Sequence, residues 1–384
     1  MTTPERDEHD PTPRPRPRPN GDDRGYNYRV FDVADAPPVE DLVALSRGAW
    51  GADYDAIEKA YFLYDASYVR WLLPADGMSL GAWATAPDGT PAGSVLGVTR
   101  ELYSRGRRFV ACYGTMLSVA REHRGAGIGV GVMQRSFEAM KARGVDLYLG
   151  TFDADQAGRP VIIKAMERYD SDFRICESPP MTFWACMTEL DQIDRYEPFQ
   201  GVERAALLPG VREALRFHPT ARDLRAPARR MPLAEVYREP RRDLSWVIGP
   251  GLSTPRMYGD HDPSESGTFA FEFGVGERCF IAYHNTTLVR VGRPPRRVGN
   301  VQLIHAGTAS RVSVIRALRY VNAWLLDTGC IVTLCLDTGI VPKSSLIAAG
   351  FLPTPRKVRL FALGPRANVE ALQPLALPYF SDVY

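Results

Sequence analysis

In this 384-residue chain the stretch best suited to chemistry is Leu117-Ser118-Val119-Ala120-Arg121-Glu122-His123-Arg124-Gly125-Ala126-Gly127-Ile128-Gly129. An alternating apolar strand gives way to a charged turn and to three glycines at alternate positions, and the amphipathic segment Val130 to Arg143 follows. The first N–H groups of a helix have no intrahelical acceptor and sit at the positive end of its dipole. Glycine lets a ligand approach such groups closely. A strand that hands over to a helix through glycines therefore suits a phosphate.

Other chemistry is sparse. His123 in the turn reads as a solvent-facing side chain, and the remaining histidines form no cluster with metal-ligand spacing, so no metal is expected. No phosphate-loop, nucleophile-elbow or dinucleotide-binding motif follows a strand. The net charge of +2 provides no global field for nucleic acid or an anionic membrane. No run approaches the roughly 18 to 20 apolar residues of a membrane span. Six cysteines without a C-x-x-C pair, together with an N-terminus lacking the apolar core of a secretory signal, predict reduced thiols and a cytoplasmic location.

The corner needs a strand before it and a helix after it, and the flanking periodicity predicts both. Tyr26 to Val33 alternates as a strand, Pro38 to Trp50 reads as a helix, and Tyr61 to Leu73 repeats aromatic residues at helical spacing. Met78 to Thr85, Ala92 to Tyr103 and Phe109 to Val119 form an antiparallel meander that leads into the corner. Beyond it, Met133, Phe137 and Met140 make one apolar stripe that ends at Gly144. Strand Val145 to Phe152, helix Pro160 to Tyr169 and strands from Phe173 to Leu190 complete the unit.

This order and the corner residues resemble the GCN5-related N-acyltransferases, the GNAT superfamily, over about residues 26 to 190. Arg124, Gly127 and Gly129 meet that family's pattern of Arg or Gln, two residues, Gly, one residue, then Gly or Ala; Leu117-x-Val119 matches its strand end. The resemblance implies an acyl-CoA co-substrate, acetyl-CoA or a longer acyl-CoA. Its pyrophosphate would be cradled by the backbone from Gly125 through Ala126, Gly127 and Ile128 to Gly129, with Arg124 as a nearby cation. The segment Leu117, Ser118 and Val119 would bind the pantetheine arm in strand fashion, and a backbone N–H there would polarise the thioester carbonyl. The family often uses a carboxylate or a water chain as base and a tyrosine on the late helix as acid. Tyr169 is the candidate acid here. The strand Phe109 to Val119 has no carboxylate, Tyr113 standing about where one is often found; Glu101, Asp153 and Asp155 are substitutes. Tandem relatives that resemble enhanced-intracellular-survival acetyltransferases insert their C-terminal carboxylate, which here belongs to Tyr384.

Residues 195 to 255 are rich in Arg and Pro, with a helical pattern at Gly201 to Phe217. The earlier pattern then returns: strands Phe269 to Val275, Cys279 to Val291 and Val301 to His305, helix Val312 to Leu326, strand Ile331 to Leu336, short helix Ser344 to Ala349, strand Leu352 to Leu363. Ala348-Ala349-Gly350-Phe351 resembles the family's late A-x-G-F corner. An internal repeat follows. The second corner, Ile304 to Arg311, has one glycine, so this copy is expected not to hold CoA.

The expected fold is α/β (α+β): two tandem GNAT-like domains, each a mixed, mostly antiparallel sheet flanked by helices. Residues 1–25 form a Pro/Arg-rich tail, 26–195 the acyl-CoA-binding domain, 196–365 the degenerate copy and 366–384 a C-terminal tail. The expected activity is acyl-CoA-dependent N-acylation, most simply acetylation, of a peptide or natural-product amine, without nucleic acid or membrane partners. The alternatives are a non-catalytic CoA-binding sensor or scaffold and a tandem enzyme with a fatty-acyl or aminoacyl donor.

Overall fold

A computed structural model describes residues 25–32, 34–56, 61–72, 79–153, 158–187, 220, 222–231, 247–249, 266–290, 292–372 and 380–381. The first half runs β1 (Asn27–Phe31), α1 (Val39–Ala56), β2 (Tyr61–Leu63), α2 (Ala66–Leu72), β3 (Ser79–Thr85), β4 (Pro91–Ser104), β5 (Arg107–Val119), α3 (Ile128–Ala142), β6 (Leu147–Asp153), α4 (Gly158–Tyr169), β7 (Phe173–Glu177) and β8 (Met181–Met187). The second half runs β9 (Ala228–Arg230), β10 (Val247–Gly249), β11 (Ser266–Gly274), β12 (Glu277–Arg290), β13 (Arg293–His305), α5 (Arg311–Asp327), β14 (Val332–Leu336), α6 (Lys343–Ala348), β15 (Leu352–Pro365), α7 (Arg366–Glu370) and β16 (Phe380–Ser381).

The main path of the sheet is β1-β3-β4-β5-β6-β15-β8-β14-β13-β12-β11-β9. When each strand is matched to its counterpart in the repeat, this order reads the same from both ends, with a pseudo-twofold between β15 and β8. The halves exchange strands. β15 pairs with β6 of the first half, while β8 pairs with β14 of the second. The exchange recurs at the edges, where β2 pairs with β12 and β10 with β4. The two sequence copies thus share one continuous sheet.

The short strand β2 departs from the helical reading of Tyr61 to Leu73. Tyr61, Phe62 and Leu63 register with Val289, Leu288 and Thr287, and the helix begins only at Ala66. An aromatic and aliphatic run suits a half-buried strand as well as a helix, and the edge offered by β12 decides between them. The helix expected at Gly201 to Phe217 and the N-terminal tail up to residue 24 lie outside the described residues.

Side chains pack in two layers. On one face α3 and α4 cover a cluster containing Val132, Met133, Phe137, Tyr148, Phe152 and Phe361. On the same face α5 and α6 cover one with Phe271, Tyr283, Leu318, Val321, Leu325 and Phe351. The opposite face carries α1 and α2, with Leu42, Leu45 and Val69 packed on Leu96, Val98, Tyr113, Met116 and Leu360. The stripe Met133, Phe137 and Met140 is buried as its spacing requires, and Gly144 ends its helix region with φ of +69°.

Candidate active site

The strand that feeds the glycine corner is bent. Met116 has a φ of +54°, and the β4–β5 register slips between Ser94 and Leu96, so a bulge turns β5 as it approaches its end. Parallel pairing of β5 with β6 covers Ala111, Cys112 and Tyr113, opposite Leu147, Tyr148 and Leu149. Beyond Tyr113 the two strands diverge and leave a wedge. Ala120 N–H donates to Ala92 O at 3.0 Å and Ser118 registers with Ser94, so these residues direct their main-chain groups at β4. The alternation of a strand turns the main-chain groups of Leu117 and Val119 away from β4, where the Leu117 carbonyl accepts from Trp50 and the Val119 carbonyl lies 3.4 Å from Arg124 Nε.

At the wedge mouth, Gly125 and Gly127 have φ of +79° and +85°, and a Cβ on either would project into open space. Gly127 is the N-cap of α3 and has no side chain to cap it. The first intrahelical bond of α3 runs from Gly131 N–H to Gly127 O at 2.9 Å. The N–H groups of Ile128, Gly129 and Val130 precede it and have no intrahelical acceptor. Gly129 is buried, and a Cβ there would lie 3.0 Å from Val161 Cγ1 and 3.3 Å from Val119 Cγ2. This glycine lets α3, α4 and the end of β5 meet. The structure therefore brings Leu117, Ser118, Val119, Gly125, Ala126, Gly127, Ile128 and Gly129 together as one mouth.

Arg124 has a different task from the one expected. Its Nη2 donates to Ala49 O at 2.7 Å, its Nη1 pairs with Asp53, and its Nε lies 3.4 Å from Val119 O. The guanidinium fork thus engages a carboxylate and a carbonyl near the C-terminal end of α1, where cations are favoured, and it clamps that helix to the strand end. Trp50 on the same helix donates its indole Nε1–H to Leu117 O at 3.1 Å, and Ser46 Oγ lies 3.0 Å from Ser118 Oγ. Neither Ser46 nor Trp50 stood out in the sequence, where each is one more residue on an amphipathic helix.

Tyr169 is not brought to the mouth. Val161 of α4 touches the Gly129 position, and Tyr169 lies eight residues further on, about 12 Å along the helix. Its ring packs against Phe137 and Phe173, and its hydroxyl donates to Phe137 O at 3.5 Å. Burial, followed by the Glu138 and Asp170 carboxylates, raises the phenol above its ordinary range. The residue expected to be the acid is a half-buried aromatic packed on the α3–α4 layer. The helix phase at Asp170-Ser171-Asp172-Phe173, unlike the family's usual spacing, directs the ring inward.

Of the substitute bases, Glu101 accepts from Arg108 Nε at 2.7 Å and from Tyr103 OH at 2.8 Å. It registers with Val110, and the seven residues from there to Leu117 span about 23 Å. Glu101 therefore serves the hairpin end and not the mouth. The side chain of Asp153, all of Asp155 and the terminal Tyr384 lie outside the described residues. Among the described residues no group of three or more His, Cys, Asp or Glu is placed to hold a metal ion.

Comparison with known proteins bears on the fold. Residues 40–162 match the model of the Acetyltransferase (GNAT) family. Crystal structures of Saccharomyces cerevisiae N-myristoyltransferase with bound myristoyl-CoA superpose with TM-scores of 0.64 and 0.65 at 10% and 12% identity. They cover 88% and 89% of this chain and 82% and 79% of the other. A third, with myristoyl-CoA and inhibitors bound, gives 0.63 at 12% identity, with 88% and 80% covered. No curated protein matches the sequence. At such identities the likeness to the crystal structures is one of fold. Residues 40–162 thus match a GNAT acetyltransferase domain, and the chain shares the fold of these structures over most of its length.

Proposed function

We propose that this enzyme transfers an acyl group, acetyl in the first instance, from a CoA thioester to the amine of a peptide or natural-product acceptor held between its two halves. The observation that carries the reading is the mouth itself: an uncapped helix start with two left-handed glycines, next to a strand whose alternate main-chain groups turn away from β4 at an open wedge. The pyrophosphate would take the N–H groups of Gly125 to Gly129, and the pantetheine arm would run beside Leu117 and Val119. A main-chain N–H of that strand would polarise the thioester carbonyl, a contribution of roughly 10²-fold or more in comparable sites. The neutral amine then attacks the carbonyl carbon. The carbon–sulfur bond breaks, the nitrogen loses a proton, and CoA leaves as its thiol. Six cysteines without a disulfide suit a reducing cytoplasm.

The test is thiol release from acetyl-CoA by the full chain in the presence of peptide and small-molecule amines, with the product identified by mass. The reading expects amine-dependent thiol and a stable acyl amide. Tight CoA binding without thiol release from any amine would instead mark a sensor.

A further inference from the structure

Parallel pairing stops at Tyr113 and Leu149, but a side-chain link continues beyond it. Tyr113 OH and Thr151 Oγ1 lie 2.9 Å apart, joining β5 to β6 on the α1 face above the last main-chain pair. Continued two residues past the last pair, the parallel register puts Thr151 level with Thr115, only two residues below Leu117 and, with the bulge at Met116 between them, less than about 6.6 Å along the strand. Tyr113 is 2% exposed, so the link is built into the core. On the opposite face the Tyr148 hydroxyl occupies the place that a Cβ on Gly114 would take, and the ring itself is 2% exposed. Tyr148 is braced by Phe137 and Phe361, at 5.6 Å and 6.1 Å between ring centroids. The wedge is therefore closed from both faces a short way below the position that the thioester carbonyl takes beside Leu117.

We infer that the Tyr113–Thr151 link, backed by Tyr148, sets the length of the acyl group that the donor can carry, and that the enzyme takes short acyl chains, from acetyl to about butanoyl. This rests on the reading that CoA thioester lies in the wedge. After van der Waals radii are subtracted, the space between Leu117 and the link accommodates only a few carbons. A longer chain would have to break the hydrogen bond and force apart strands that are otherwise close-packed. The long-chain donor in the superposed crystal structures does not carry over to this chain, because acyl length is decided by these side chains and not by the shared fold.

Equilibrium binding of CoA and of acetyl-, butanoyl-, hexanoyl-, octanoyl- and myristoyl-CoA to the full chain tests this without knowledge of the acceptor. A pocket that buries the chain tightens binding by about fourfold per methylene. The expected result is acetyl-CoA within about tenfold of CoA, butanoyl-CoA tighter than acetyl-CoA by up to about 16-fold, then a loss of tenfold or more relative to butanoyl-CoA from hexanoyl-CoA onward. Thr151→Ala and Tyr113→Leu are expected to regain hexanoyl-CoA by at least tenfold relative to acetyl-CoA. Unchanged CoA affinity shows that each variant is folded, and if the Tyr113 variant fails that control, the Thr151 variant carries the test alone. Affinity that rises through octanoyl-CoA in the wild type, or an unaltered chain-length profile in the folded variants, overturns the inference while leaving the CoA site intact. Absence of any CoA binding overturns the donor reading and the inference with it.

Discussion

The two strand-to-helix corners occupy equivalent places in the repeat, and the first is open where the second is filled by the chain itself. In the first, seven residues, 120–126, separate the end of β5 from the N-cap Gly127, and no side chain caps the helix. In the second, four residues, 306–309, separate β13 from the N-cap Ser310, whose Oγ accepts from Ser313 N at 3.3 Å. The β11–β12 hairpin completes the closure. Ser313 Oγ donates to Glu277 Oε2, Ser310 Oγ lies 3.4 Å from the same oxygen, and Arg278 N donates to Thr308 Oγ1 at 3.0 Å. A carboxylate of the chain itself thus stands at the positive end of α5, where a phosphate would otherwise be drawn. The Cβ position of Gly307 is occupied by the Arg278 carbonyl, whereas those of Gly125 and Gly127 are open. A shorter loop and an internal carboxylate are enough to close a helix start while the surrounding fold is retained.

The comparison can be broken most severely by giving the first corner the second one's charge. Gly127→Glu is expected to weaken CoA binding by at least about 100-fold, measured by calorimetry. Gly127→Asn keeps a residue that tolerates the left-handed conformation without adding charge, and it should cost about tenfold or less. Gly129→Val pushes into Val161 and Val119, and overpacking of this kind should destabilise the fold by about 1–3 kcal/mol in urea titrations. CoA affinity should fall by roughly tenfold as α3 shifts from the strand end.

Smaller effects sharpen the picture. Tyr169→Phe removes a long hydrogen bond in the aromatic layer and should change thiol release by less than about threefold. Its alkaline limb should also be unchanged. An acid with a raised pKa is active when protonated and fails as pH climbs through that value, so loss of that limb in the variant would return Tyr169 to the mechanism. Glu277→Gln removes the anion from the start of α5 and should destabilise the protein by about 0.3–1 kcal/mol. It should not create a second CoA site, because the shortened loop remains.

The corner was legible in the sequence because its requirement is local: glycines at fixed spacing between a strand and an amphipathic helix. The repeat was legible from periodicity, as with Val314, Leu318, Val321 and Leu325, all of them buried on α5. The strand exchange was not, since nothing within Leu352–Pro365 tells that strand to pair with Tyr148 to Asp153 and not only with its own neighbours. Arg124 illustrates the same limit within the site. Its place in the motif was plain, but its partners Ala49 and Asp53 are far away in sequence. Glu277 and Trp50 carry no local signal, because each acts through a tertiary contact that composition and spacing do not encode.

If the fold occurs twice and the CoA site once, the stoichiometry of binding records it. Calorimetric titration of CoA into the full-length wild-type chain measures this directly. One CoA per chain, abolished by Gly127→Glu and retained in Glu277→Gln, is the expected result. Two equivalents per chain, or one that survives Gly127→Glu undiminished, would contradict it.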